Sequence, residues 1–195
     1  MKRKRVGILI SGRGSNMAAL VEAARDPAYP AEIACVVSNR ADAAGLQLAE
    51  RHGIATHVIN HKDYATREDF DAALNDYLQK QKLDLIACAG FMRIMTPVLL
   101  DAWAGRIINI HPSLLPLYKG THTHERALAD GAKVHGCSVH YVTAELDGGP
   151  VIARAEVPVL AGDTAETLSA RVLTEEHKLY PKALAMVARQ NNPME

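Results

Sequence analysis

The stretch RVGILISGRGSN, Arg5 to Asn16, sets an apolar run of strand length directly against a glycine-rich loop. Because both faces of that run are apolar, it reads as a strand buried on two sides, the kind found inside parallel sheets. Further runs rich in Val and Ile follow at Ile33 to Ser38, Thr56 to Ile59, Leu83 to Ala89 and Arg106 to Ile110. Segments of helical period lie between them, at Asn16 to Arg25, Ala43 to His52, Arg67 to Gln81 and Pro97 to Trp103, each long enough to cross over a sheet. Two more strands, about Gly136 to Val142 and Val151 to Val157, flank a Gly-Gly-Pro turn and read as a hairpin. A final amphipathic helix, Ala165 to Arg189, begins after an Asp163-Thr164 cap with Glu166 in its first turn. The pattern predicts an α/β fold: an open, mostly parallel twisted sheet with an antiparallel hairpin addition and a long C-terminal helix.

The chain has 195 residues, 48% of them hydrophobic, and shows no repeat, low-complexity stretch or linker, so a single domain over 1–195 is expected. Lys plus Arg and Asp plus Glu each total 22, and no net charge draws the chain to nucleic acid, a membrane surface or a strongly acidic partner. The basic run Lys2 to Arg5 reads as a solvated start to the first strand. The apolar residues after it, Val6 to Ile10, are fewer than the roughly 7 to 15 of an export signal core, and no run is long enough to span a bilayer. Cys35, Cys88 and Cys137 are odd in number, lack metal-like spacing and lie in apolar stretches, which suggests reduced, packed thiols and a cytoplasmic setting.

Open α/β sheets bind ligands at the carboxyl ends of their strands, so the residues after each strand carry the functional information. In the first such loop, Gly12 and Gly14 free the backbone, and a helix starting near Asn16 directs unpaired amides at it, a nest suited to an anion such as phosphate. A glycine turn that only caps a helix would read the same way. The dinucleotide fingerprint fails, because Met17 stands where a third glycine belongs, and no Gly-Lys-Ser/Thr ending exists.

After the fourth strand, AGFMRIM (Ala89 to Met95) offers an apolar wall of Phe91, Met92, Ile94 and Met95 with one cation, Arg93, suited to a flat apolar ligand bearing a carboxylate; a plain packing segment would look similar. The fifth strand ends in NIHPSLLP, Asn109 to Pro116. Side chains two apart on a strand share a face, so Asn109 and His111 project together and Pro112 stops the ladder. The amide can donate to an oxygen gaining negative charge, and the imidazole can move a proton near neutral pH. Asp147, in the ELDGGP turn of the hairpin, is a turn former or a carboxylate partner that orients His111. His122 and His124 alternate without a third ligand in register, so no metal site is expected. Ser113 lacks the Gly-x-Ser-x-Gly setting of a nucleophile.

Taken in order, ISGRGSN, AGFMRIM, NIHPSLLP and ELDGGPVI resemble the phosphoribosylglycinamide formyltransferases from about Val6 to Pro181. The Asn-x-His with SLLP and the Asp-Gly turn recur across formyl-folate enzymes, whereas ISGxGSN points more narrowly to this family. The resemblance implies a formyltransferase fold, with a Rossmann-like phosphate-binding half at 1–100 and a catalytic and folate-binding half at 101–195. It implies catalytic roles for Asn109, His111 and Asp147, and substrate-phosphate binding at Gly14, Ser15 and Asn16. Formyl-folate contacts fall at Arg67, Met92, Arg93, Ile94, Met95, Asn109 and from Thr143 to Asp147, and a ribosyl contact at Glu176. Lys119 precedes Gly120 where some members carry proline, and the tail after Gln190 is shorter than in some members.

The reaction so implied is transfer of a formyl group from 10-formyltetrahydrofolate, a consumed co-substrate, to the amine of 5-phosphoribosylglycinamide in purine synthesis. No tightly bound cofactor or metal is expected; the partners are small molecules, and the chain is a monomer or homodimer. Two other acceptors are conceivable. A 10-formyltetrahydrofolate hydrolase would use the same three residues with water and need no phosphate loop. A formyltransferase acting on another amine, such as charged initiator tRNA, is expected to carry more chain after the core and a basic surface.

Overall fold

A computed structural model describes residues 2–190. Seven strands form one sheet: β1 (Lys4–Ile10), β2 (Ala31–Ser38), β3 (Thr56–Val58), β4 (Leu85–Cys88), β5 (Ile107–His111), β6 (Val134–Tyr141) and β7 (Val151–Pro158). Their spatial order is β3-β2-β1-β4-β5-β6-β7; the first five are parallel, and β6 and β7 pair antiparallel. Six helices accompany them: α1 (Ser15–Ala24), α2 (Ala44–Arg51), α3 (Arg67–Lys80), α4 (Pro97–Ala102), α5 (Thr123–Ala129) and α6 (Ala165–Arg189). The expected fold class is the observed one. The residues after Gln190, where the shortened tail falls, lie outside the described part.

The two-residue period of β1 explains the layering. Val6, Ile8 and Ile10 face a core shared with α1, α2 and α6, while Leu9 faces a second core containing Phe70, Leu74 and Trp103 of the α3 and α4 side. Tyr180 of α6 is fully buried and donates its hydroxyl to the Cys88 carbonyl at 2.8 Å, tying the long helix to the sheet centre. Such a satisfied buried hydrogen bond contributes about 1 kcal/mol.

Helix starts follow their caps. Thr66 accepts from the Asp69 amide ahead of α3, and Thr164 and Thr167 cap each other reciprocally at α6. Asp163 is not the cap itself; it pairs with Arg171 at 2.7 Å and accepts from the Thr167 hydroxyl. The basic start is tied down more than expected: Arg3 donates to the carbonyls of Ala24, Tyr29 and Ala31, and Arg5 pairs with Glu32 at 2.9 Å. One helix was not foreseen. α5 has seven residues, buries only Thr123 and Ala127, and starts at His122 with φ 56 and no side-chain cap, so it carries neither period nor cap signal.

Candidate functional site

The ends of β1, β4 and β5 are neighbours, and the candidate site assembles on this rim. Asn109 and His111 project from the end of β5, where the antiparallel ladder sets them opposite His140 and Ser138 of β6. The Asn109 Nδ2 lies 3.2 Å from His140 Nε2. The ring of His111, 6% exposed, donates from Nε2 to the Tyr118 carbonyl at 2.9 Å, and its Nδ1 lies 3.5 Å from Asp147 Oδ2. The same oxygen of Asp147 accepts the Gly120 amide at 2.8 Å, while Oδ1 stands 3.7 Å from His140 Nε2.

Asp147 is therefore both turn former and partner. Its φ of 49 is left-handed, a conformation that Asp tolerates, and it turns the chain so that the carboxylate meets both imidazoles. The glycine two residues on is required by close approach: a Cβ on Gly149 would meet the Tyr141 carbonyl oxygen at 1.9 Å.

A cleft open to solvent runs between the segment after β4 and the β6–β7 turn. Phe91, Ile94, Met95, Val142 and Leu146 give it apolar surface; Asn109, His140 and Asp147 give it polar groups, and Arg93 and Thr143 also line it. Both ends of the segment after β4 are pinned. The Met92 amide donates to Ser11 Oγ at 2.8 Å, and the buried Asp71 carboxylate accepts the Thr96 amide and hydroxyl at 2.6 and 2.8 Å. Arg93 lies over the Phe70 ring at 4.8 Å.

Three expected residues stand elsewhere. Met92 is 72% exposed and faces a neighbouring recess with Ser11, Asn39, Arg40 and His61. Arg67 is the exposed first residue of α3 and lines neither space. His111 does not line the cleft; it reaches the cleft through Asp147.

On the α6 side of the rim, Gly14 takes φ 76 ahead of α1, and a Cβ there would meet the Gly45 Cα at 2.8 Å, so both conformation and packing demand glycine. No side chain caps α1, which leaves its first amides facing the loop, as an anion site requires. Asn16 Nδ2 donates to Glu176 Oε2 at 2.9 Å, joining the two residues that the sequence placed at one substrate. Burial pushes the Glu176 carboxyl above its usual range, offset in part by that hydrogen bond. The Asn16 Oδ1 is buried without a partner.

His140 was absent from the sequence-based candidates. A signal existed: in CSVHY, Ser138 and His140 alternate on β6 as Asn109 and His111 do on β5, so two polar pairs share one face. Away from the cleft, His124 Nδ1 and His135 Nε2 approach to 3.2 Å. The three cysteines are free and buried, and burial pushes Cys88 and Cys137 up to about 12. Among the described residues no group of three or more His, Cys, Asp or Glu side chains is placed to hold a metal, and no helix is long and apolar enough to cross a membrane.

Comparison with known proteins bears on what such a rim does. A family model described as formyl transferase matches residues 4–184. The chain is 49% identical over 187 residues to the trifunctional purine biosynthetic protein adenosine-3 of Homo sapiens, covering 96% of this chain and 18% of that protein. It is 47% identical over 181 residues to the phosphoribosylglycinamide formyltransferase of Escherichia coli K12, covering 93% of this chain and 85% of that one. The crystal structure of phosphoribosylglycinamide formyltransferase from Brucella melitensis has a TM-score of 0.93 and 54% identity, with 97% of each chain covered. The chain thus spans less than a fifth of the trifunctional relatives and most of the single-function ones.

Proposed function

This chain belongs to the formyl transferase family, and we propose that it moves the formyl group of 10-formyltetrahydrofolate to the amine of 5-phosphoribosylglycinamide, a step of purine biosynthesis. The observation that carries this is the joining of two half-sites on one rim. An apolar cleft holding the Asn109 amide and the His111-paired Asp147 lies at the ends of β4 and β5, and the uncapped start of α1 follows β1 beside them.

The formyl folate occupies the cleft, its flat ring against Phe91, Ile94 and Met95 and its formyl group toward Asn109 and Asp147. The acceptor's phosphate takes the amides of Gly14, Ser15 and Asn16, with Glu176 at its ribosyl part. The amine lone pair forms the new bond to the formyl carbon, and the carbonyl electron pair moves to oxygen. Asn109 donates to that oxygen, and His111, which stands behind Asp147, adds a second donor once its Nε2–H turns from the Tyr118 carbonyl into the cleft. Collapse breaks the bond from the formyl carbon to the folate nitrogen. That nitrogen gains a proton and the attacking amine loses one, with Asp147 placed to relay it. Loss of one oxyanion donor typically lowers the rate about 100- to 1000-fold, and acid–base catalysis typically contributes about 100- to 10,000-fold, so these residues are sufficient for a large acceleration.

The test follows the folate absorbance change with and without phosphoribosylglycinamide. Turnover is expected only with the acceptor; equal turnover in water alone would replace transfer by hydrolysis.

A further inference from the structure

We infer that His140 is a positioning residue which, as a neutral imidazole protonated on Nδ1, fixes the amide of Asn109 with its nitrogen rather than its oxygen toward the ring. One ring nitrogen of His140 faces an obligatory acceptor. His140 Nδ1 lies 2.9 Å from the Tyr141 carbonyl oxygen, which can only accept, so Nδ1 carries hydrogen. In the neutral ring Nε2 is then a lone pair, and it lies 3.2 Å from the Asn109 side-chain nitrogen. A flipped Asn109 would set oxygen against that lone pair and leave a buried acceptor unpaired, which the fold disfavours.

The neutral state has its own causes. His140 is 2% exposed, and burial pulls its protonation below the ordinary imidazole range. The Tyr141 carbonyl and the Asp147 carboxylate oppose this, and His111 reinforces it. Cys88 of β4 lines the same cleft, and burial keeps its thiol neutral. The register explains why the contact forms: Asn109 and His140 are directly opposed on β5 and β6, so no loop has to order for it. One N–H of the amide is spent on His140, and the other belongs to the cleft that both residues line.

The inference rests on the proposed role of Asn109 as a donor to the formyl oxygen. A misoriented amide would present oxygen to a developing negative charge and would be lost as a donor without any loss of substrate contacts. His140 thus acts through Asn109, not on the substrate.

The experiment measures acceptor-dependent turnover and thermal melting for His140→Leu, which removes the acceptor, and His140→Gln, whose side-chain oxygen can replace Nε2. Both are made in the native and the Asn109→Ala backgrounds. His140→Leu is expected to lower kcat about 100-fold with both KM values within roughly twofold. His140→Gln should recover most of that loss, and neither substitution should matter once Asn109 is alanine. Equal losses in the Leu and Gln variants, or full additivity with Asn109→Ala, overturn the positioning role. The wild-type chain and Asn109→Ala keep the two levels apart. No acceptor-dependent turnover by wild type sinks the transfer reading itself, whereas severe loss in Asn109→Ala beside normal turnover in His140→Leu sinks only the role of His140.

Discussion

The Asp147 carboxylate lies 3.5 Å from Nδ1 of His111, while the other nitrogen of that ring donates to a backbone carbonyl at 2.9 Å. Both ring nitrogens therefore face oxygen acceptors, which fixes the orientation of the ring at the end of β5. The pair is nearly enclosed, with side chains 8% and 9% exposed, so solvent screens it little. The hairpin turn thus delivers a carboxylate to the end of a strand 36 residues earlier in the chain, counting from 111 to 147.

Replacing Asp147 by asparagine removes that charge but keeps a residue that tolerates the left-handed φ of 49. Turnover at saturation should fall about 100-fold or more, with both KM values and the melting temperature nearly unchanged. Steady-state kinetics and a thermal melt check this. Near-native turnover would reduce Asp147 to a turn former.

Gly14→Ala forces a Cβ into the Gly45 backbone at 2.8 Å and strains a φ of 76, distorting the loop that presents the α1 amides. The KM for the phosphorylated amine should rise roughly tenfold, while the dissociation constant of a non-reactive folate analogue, read by fluorescence, stays within roughly twofold. Equal damage to both would move this loop out of the acceptor site.

The cleft geometry separates two methionines that the sequence grouped together. Met95 lines the cleft and Met92 does not, so Met95→Ala should raise the formyl-folate KM several-fold and Met92→Ala should leave it close to native. The reverse order in paired kinetic measurements would show that Met92 turns inward on binding.

Most of the sheet was legible because its strands are apolar on both faces, as in Val6 to Ile10, and because cross-over helices of normal length separate them. α5 was hidden by its brevity and uncapped start. In the site, Asn109, His111 and Asp147 stood out by residue type and place, but their meeting depends on the register of β5 on β6, which no local pattern encodes. His140 is marked locally only by its alternation with Ser138, and the same register decides that it faces Asn109. Met92 escaped because an irregular segment has no fixed period, so Phe91, Arg93, Ile94 and Met95 reach one cleft while Met92 turns to the neighbouring recess.

His135 provides a pH test of the packing beside α5. Burial first, then the nearby His124 and His111, lower its pKa from the ordinary 6.5 to about 4. Between those values the unfolded chain binds a proton at this position that the folded chain does not, so stability falls as pH drops through the window. Urea unfolding followed from neutral pH down to about 4 should show a shallower loss in His135→Gln than in wild type. Parallel curves would mean that His135 titrates normally in the fold.

In the proposed reaction the formyl carbon passes directly from folate to the acceptor amine within this site. The most direct test supplies 10-formyltetrahydrofolate carrying an isotopic label in the formyl carbon, together with phosphoribosylglycinamide, and follows the label by NMR during turnover. The label should appear on the glycinamide nitrogen in step with loss of the folate signal, and Asn109→Ala should slow both equally. Label released as free formate while the acceptor stays unmodified would contradict it.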